Sequence, residues 1–325
     1  MRKLALLPLL LLAAACSGNP KQDGVPEMAR LELYNYSPAA SLEDRIGLIP
    51  ERLLEIYRAL DNKPGYKPYP PTPQEKALLL EYLALMPPAY GRVFREKCAG
   101  LYFVEGFTGY GVTSWVVDGE GRLYFTMTLN PAALRETLSE TMTSRERSCF
   151  IPESGQAVTV DAGTKYKGLA YALFHEAAHA LDYIEGVTPY TDLDQPERYR
   201  AAARPDGGLF TEAWESYAKP FPRNDFLFRD KITFYGFGGG PKIALSDAYG
   251  AYAGLAGSPF VSLYGAKSWA EDFAELTAYG LIAGKLGQPY RVTLSMKGAA
   301  SRAFEPMKGP AARRAAAALA LAEKL

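Results

Sequence analysis

Apolar residues recur at helical spacing over residues 46–60 and again over 74–85, so the front of the folded body reads as a helical pair or small bundle, ended by Pro87 and Pro88. The pattern then changes to strands at 101–107 and 112–117, the turn Asp118-Gly119-Glu120-Gly121, and a strand over 122–129. In the last of these, Leu123, Phe125 and Met127 alternate with Tyr124, Thr126 and Thr128, which predicts one buried face and one wet face and suits an edge strand. After a short extended passage at 157–160, a strong helix is expected from about 165 to 185, terminated by Gly186. Residues 187–262 are rich in Gly, Pro and aromatics and read as long loops with short helices, a length at which loops are often functional. Helices over 269–282 and 310–325 complete the chain. Helices and strands that follow one another in this way predict an α+β fold.

Composition adds a compartment and removes a function class. Met1-Arg2-Lys3 followed by an apolar run to Ala15 has the form of a signal peptide, since the run is too short to span a bilayer as a helix. Its end, Leu12-Ala13-Ala14-Ala15-Cys16, resembles the bacterial lipobox, in which the cysteine is acylated and becomes the first mature residue. Ser17, in place of an aspartate, points by analogy to the outer membrane. Residues 1–15 are thus read as signal peptide, 16–40 as a flexible lipid-anchored tether, and 41–325 as the working domain. Lys plus Arg equals Asp plus Glu at 36 each, which lacks the electrostatic footprint of a nucleic-acid binder. Besides Cys16 there are two cysteines, Cys98 and Cys149, an even pair in an oxidising compartment, and a disulfide between them is the expectation.

The chemistry lies in His175-Glu176-Ala177-Ala178-His179, the HExxH pattern on a predicted helix. Histidines at i and i+4 share a face, so both imidazoles can reach one Zn²⁺. Glu176 sits about 100° further round, placed to act on water as a general base. By composition such a match arises by accident in about one chain in a hundred, but here the whole chain has only two histidines and both fall in the motif. The third ligand therefore cannot be histidine. Asp182 and Glu185 on the same helix, or an acid from elsewhere, remain the candidates; an aspartate three residues after the second histidine more often orients a neighbour than closes a ligand set.

A second segment narrows the choice. The run from Tyr264-Gly265 to Trp269-Ala270-Glu271-Asp272-Phe273-Ala274-Glu275 resembles the Tyr-Gly-x5-Glu-x-Phe-Ala-Glu segment of the anthrax-lethal-factor-like gluzincins, and the Asp182-Tyr183 region resembles the continuation of their zinc motif. The resemblance implies a zincin-like, two-lobed metalloprotease fold, with a sheet-bearing N-terminal lobe to about 187 and a mostly helical C-terminal lobe from about 188. It makes Glu271 the third zinc ligand, Tyr264 the hydroxyl that assists at the oxyanion or leaving amine, and Glu275 a carboxylate supporting a ligating histidine, as its position one turn from Glu271 also allows. It covers about a third of the chain; upstream of Thr164 only the coarse order of helices then strands matches. A competing reading of Ser268-Trp269-Ala270-Glu271 is a helix capping box, in which Glu271 serves only a backbone N–H.

Together these features predict a zinc-dependent endopeptidase in the cell envelope, acting on a protein or peptide that the strand at 122–129 could receive by strand addition. The rivals are an envelope-binding lipoprotein that keeps the fold without turnover, and an amidase acting on peptidoglycan stem peptides. Replacement of Cys16 by Ser is expected to abolish fatty-acid labelling and to move the protein from the membrane to the soluble fraction. Labelling and membrane retention that survive the substitution would contradict the anchor.

Overall fold

Proline sets the first helix boundaries. In the computed structural model, which describes residues 24–325 other than 297 and 299, residues Ile46–Gly47 form a short strand (β1) paired with Leu101–Tyr102 rather than a helical turn, and Pro50 holds Ile49 out of helical conformation. Helix α1 (Glu51–Leu60) starts directly after that proline. Strand β2 (Lys67–Tyr69) leads to α2 (Pro73–Ala84), whose start carries a full capping box between Thr72 and Glu75. Pro87 and Pro88 do not simply end the helical region: Pro88 is the first residue of another helix, α3 (Pro88–Lys97), a position where its missing N–H is not needed.

The main sheet follows, with β3 (Cys98–Glu105), β4 (Gly111–Val117) and β5 (Leu123–Leu129). The order is β1-β3-β5-β4, with β3 and β5 parallel, and β2 antiparallel to the far end of β3. The strand at 122–129, expected at an edge with one wet face, is therefore central. It lies between β3 and β4, and Tyr124, Thr126 and Thr128 are buried along with Phe125 and Met127. The physical reason is a second layer on the supposed wet side: Tyr34, Leu53, Leu54 and Tyr57 cover Tyr102, Val104, Val116 and Tyr124. The free edge belongs to β4, along which the described residues add only an isolated bridge from Arg30 to Val117. The tether expected over 16–40 is likewise shorter, because Val25 and Ala29 already pack on Trp115 and Val117. Residues 1–15 and Cys16 lie outside the described residues.

Two short helices, α4 (Ala132–Arg135) and α5 (Leu138–Arg147), and strands β6 (Phe150–Ile151) and β7 (Gln156–Asp161) lead to the long helix α6 (Leu169–Glu185). That helix is apolar on nearly every side because it is covered by the sheet on one side and helices on the others. Gly186 ends it at φ +64°, a left-handed conformation that glycine adopts at no steric cost. Residues 187–262 hold mostly short turns, the hairpin β8 (Trp214–Ser216) and β9 (Lys219–Pro220), the strand β10 (Ile243–Ala244) beside β6, and a ten-residue helix α7 (Ala248–Gly257). Helix α8 (Trp269–Tyr279) continues into a wider π-turn, Gly280–Lys285, and lies along α6. Strands β11 (Arg291–Met296) and β12 (Arg302–Phe304) complete a small antiparallel sheet on β7, and α9 (Pro310–Ala322) packs on α8. The fold is mixed α+β with several sheets. One core cluster runs through it from Ile46 to Ala322. No helix among the described residues is long and apolar enough to cross a membrane.

The expected disulfide is not formed. Cys98 and Cys149 are free and fully buried, each packed as a small apolar side chain: Cys98 sits opposite Phe125 at the start of β3, and Cys149 follows α5 in the same core. Burial pushes both thiols up to about 12. A soluble form beginning after Cys16 is therefore expected to show no reactive thiol when folded and two in denaturant without reductant. Two thiols that appear only after reduction would mean that the pair is bridged.

Candidate metal centre

Helix α6 presents His175 and His179 on one face, four residues apart, with their Nε2 atoms 3.2 Å from each other. Helix α8 brings Glu271 to the same point: its Oε2 lies 3.2 Å from His175 Nε2 and 3.6 Å from His179 Nε2. Among the described residues these three form a group able to hold a metal ion. The two readings of Ser268-Trp269-Ala270-Glu271 turn out to be compatible. Ser268 Oγ accepts from the Glu271 backbone N–H at 3.2 Å, while the Glu271 side chain does not fold back on the cap and is free to face the histidines.

The donor set fits a small divalent cation on two counts. Bonds of ~2.0–2.1 Å in a tetrahedral arrangement place ligand atoms ~3.3 Å from one another, close to the spacing observed. Glu271 Oε2 is also buried, makes no well-aligned hydrogen bond among the described residues and has the two imidazoles beside it, so a cation between the three would satisfy it. Electrostatics agree. Burial lowers the His175 pKa, yet the carboxylates of Glu271 and Glu275 outweigh it and raise it to about 10. Burial raises Glu271, and the two imidazoles outweigh that in turn and hold it well below the usual carboxylate range. A proton and a divalent cation would compete for these same atoms.

Behind the donors lies a buried polar network. Glu275 Oε1 is 2.8 Å from His175 Nδ1 and accepts the Tyr171 hydroxyl at 2.7 Å; Oε2 accepts Arg145 Nη1 at 2.7 Å and the Ser262 hydroxyl. A carboxylate only accepts, so Nδ1 carries a proton and, in the neutral ring, Nε2 presents its lone pair to the cation. Burial raises Glu275, but the charge of Arg145 and the bond from His175 bring it down to about 2. Arg145, on α5, is completely buried and also contacts Glu146 and the Tyr279 hydroxyl, while Tyr252 donates to the other oxygen of Glu146. Asp182 plays no such part for His179. Its carboxylate takes the Thr188 N–H at 2.6 Å and the Thr188 hydroxyl, closing the turn after α6, and His179 Nδ1 has no hydrogen-bond partner among the described residues.

Glu176 points the other way, towards β4. The Thr113 hydroxyl lies 2.8 Å from its Oε2 and 3.0 Å from its carbonyl oxygen, and burial raises its pKa above the usual carboxylate value. The backbone of β4 comes so close that a Cβ on Gly111 would meet Glu176 Cγ at 2.7 Å. Tyr264 stands on the opposite side, its ring 5.5 Å from that of His175 and backed by Phe234 and Tyr235. All five residues line one open cavity of about 190 Å³, together with Gly111, Val112, Thr113, Tyr183, Thr191, Asp192 and Tyr217.

Sequence reasoning missed Arg145, Tyr171, Ser262 and Thr113. Arg145 stands in the charged run Ser144-Arg145-Glu146-Arg147, which looks like solvated helix surface; only the contact with α8, 130 residues away, reveals its burial. Thr113 carried a usable signal, a polar residue at an alternating position of a predicted strand. Comparisons with protein-family models, curated proteins and solved structures find no match for this chain.

Replacement of Arg145 by Met would remove the cation that the buried carboxylates of Glu146 and Glu275 share. It is expected to destabilise the fold by ~3–5 kcal/mol, read as a shift of the denaturant midpoint, and Arg145→Lys should recover part of the loss. A change in midpoint stability within experimental error would contradict the network.

Proposed function

We propose that the chain is a zinc-dependent metallopeptidase of gluzincin type, with a two-lobed zincin-like fold, anchored in the cell envelope through Cys16 and hydrolysing peptide bonds of a protein or peptide substrate. The observation that carries the reading is the convergence of His175, His179 and Glu271 from helices α6 and α8, with Glu176 held beside them and away from the ligand point. Those three residues would hold the zinc. When bound, zinc polarises the scissile carbonyl and lowers the pKa of water towards ~7.

The chain's own groups supply the rest. Thr113 ties down Glu176 Oε2, which leaves Oε1 to accept a proton from the attacking water and pass it to the departing amine. Burial raises its pKa above the usual carboxylate value, which makes it a stronger base towards that water. Burial first, and then the neighbouring Glu271 charge, raise the Tyr264 phenol far above its ordinary value, so the hydroxyl stays protonated and can donate to the oxygen where negative charge develops. Glu275, fixed by Arg145, holds the His175 ring in orientation. The role expected of the strand at 122–129 passes to β4: its free edge starts at the cavity, with Gly111, Val112 and Thr113 lining it, and suits an extended peptide added as a strand.

Glu176→Gln is expected to keep one zinc per chain and to lower kcat/KM on a susceptible peptide by ~10²–10⁴-fold; proteolysis at the unaltered rate would rule out the mechanism. Tyr264→Phe is expected to lower kcat by ~10²-fold with KM nearly unchanged, measured on the same peptide. A loss confined to KM would assign the hydroxyl to substrate binding instead. In both experiments a chelator should abolish activity and added zinc should restore it.

A further inference from the structure

Asp192 is the one charged side chain in the cavity that neither the metal donors nor the proton transfer uses. It is half-buried, on the loop that follows α6. Its Oδ2 accepts the Tyr183 hydroxyl at 3.2 Å, and its Oδ1 accepts the Asp194 N–H at 2.8 Å. No lysine or arginine pairs with it among the described residues, and none lines the cavity. The other two acids in the lining, Glu176 and Glu271, have tasks beside the histidines in the proposed function.

The surrounding walls suit a long side chain with a charged end. Among the described residues Val112 is the only aliphatic one in the lining, and Tyr183 and Tyr217 stand next to Asp192. Tyr217 is fixed by the bond from its hydroxyl to the Thr191 carbonyl at 2.9 Å and by a parallel stack on Tyr190 at 5.6 Å. Aromatic rings pack against the methylene stem of a lysine or arginine and attract its cation, while the carboxylate pairs with the head group. A purely apolar side chain would find little aliphatic surface here and would cover the Asp192 charge at a cost in desolvation.

Resting on the metallopeptidase reading, we propose that Asp192 is a specificity residue and that the substrates are peptides carrying a lysine or arginine beside the bond that is cut. The preference arises from one carboxylate in a partly solvated pocket, so its expected size is about tenfold and it weakens with added salt.

The test uses zinc-loaded protein and peptides that differ only at the residues flanking the cleaved bond: lysine, norleucine of the same length without the charge, and glutamate. Lysine is expected to exceed norleucine about tenfold in kcat/KM, and glutamate should be poorest. Asp192→Asn should abolish the difference between lysine and norleucine, and Asp192→Lys should favour glutamate. Equal cleavage of the lysine and norleucine peptides by the unaltered protein, or a lysine preference kept by Asp192→Asn, overturns the proposal. A second arm measures binding of lysyl and norleucyl hydroxamates by calorimetry, independent of turnover. A lysyl preference that depends on Asp192 in a protein that cuts no peptide keeps the cation site and rejects the peptidase reading. No preference in binding rejects the site.

Discussion

One carboxylate organises the interior of this protein. Glu275 lies wholly away from water and receives four donors from three parts of the chain: His175 and Tyr171 on α6, Arg145 on α5, and Ser262 on the loop before α8. An ionised carboxylate in such surroundings loses solvation worth several kcal/mol, and it persists only when its lone pairs are filled and a cation is near. Those requirements lock the mutual positions of α5, α6 and α8. They also lock the ring of His175, so that in the proposed function the demand for satisfied buried charge and the demand for a rigid metal ligand are met by the same bonds.

The two faces of α6 then divide the chemistry. Towards α8 stand the candidate cation donors and their support; towards β4 stands Glu176, held by Thr113 and closely covered by the Gly111 backbone. In the proposed function this separation matters, because a general base that could swing onto the metal would be lost as a base. The sheet contributes the restraint, and its position is fixed by core packing on both faces rather than by any residue of the site.

Much of the site was legible in the chain itself, because HExxH encodes a helix face and the scarcity of histidine removed rival donors. Glu271 was legible only through a resemblance, since spacing alone left several acids open. The parts that could not be read depend on contacts between distant segments. Alternation in the strand at 122–129 suggested a wet face, yet the N-terminal turns and α1 cover that face, and alternating Tyr and Thr fit a buried layer as well as an exposed one. The prolines at 87 and 88 read as a stop, although proline opens a helix as readily as it closes one. Arg145 was hidden because its partner lies far along the chain, and Cys98 with Cys149 misled because an even count states nothing about proximity.

The account stands or falls on one cation at the meeting point of α6 and α8. Crystals of zinc-loaded protein, measured on either side of the zinc absorption edge, locate that ion directly by its anomalous signal. The account predicts a single strong peak about 2 Å from His175 Nε2, His179 Nε2 and a Glu271 oxygen, with Glu275 still bonded to His175 Nδ1. Zinc bound without Glu271, or zinc found only away from the two histidines, would contradict it.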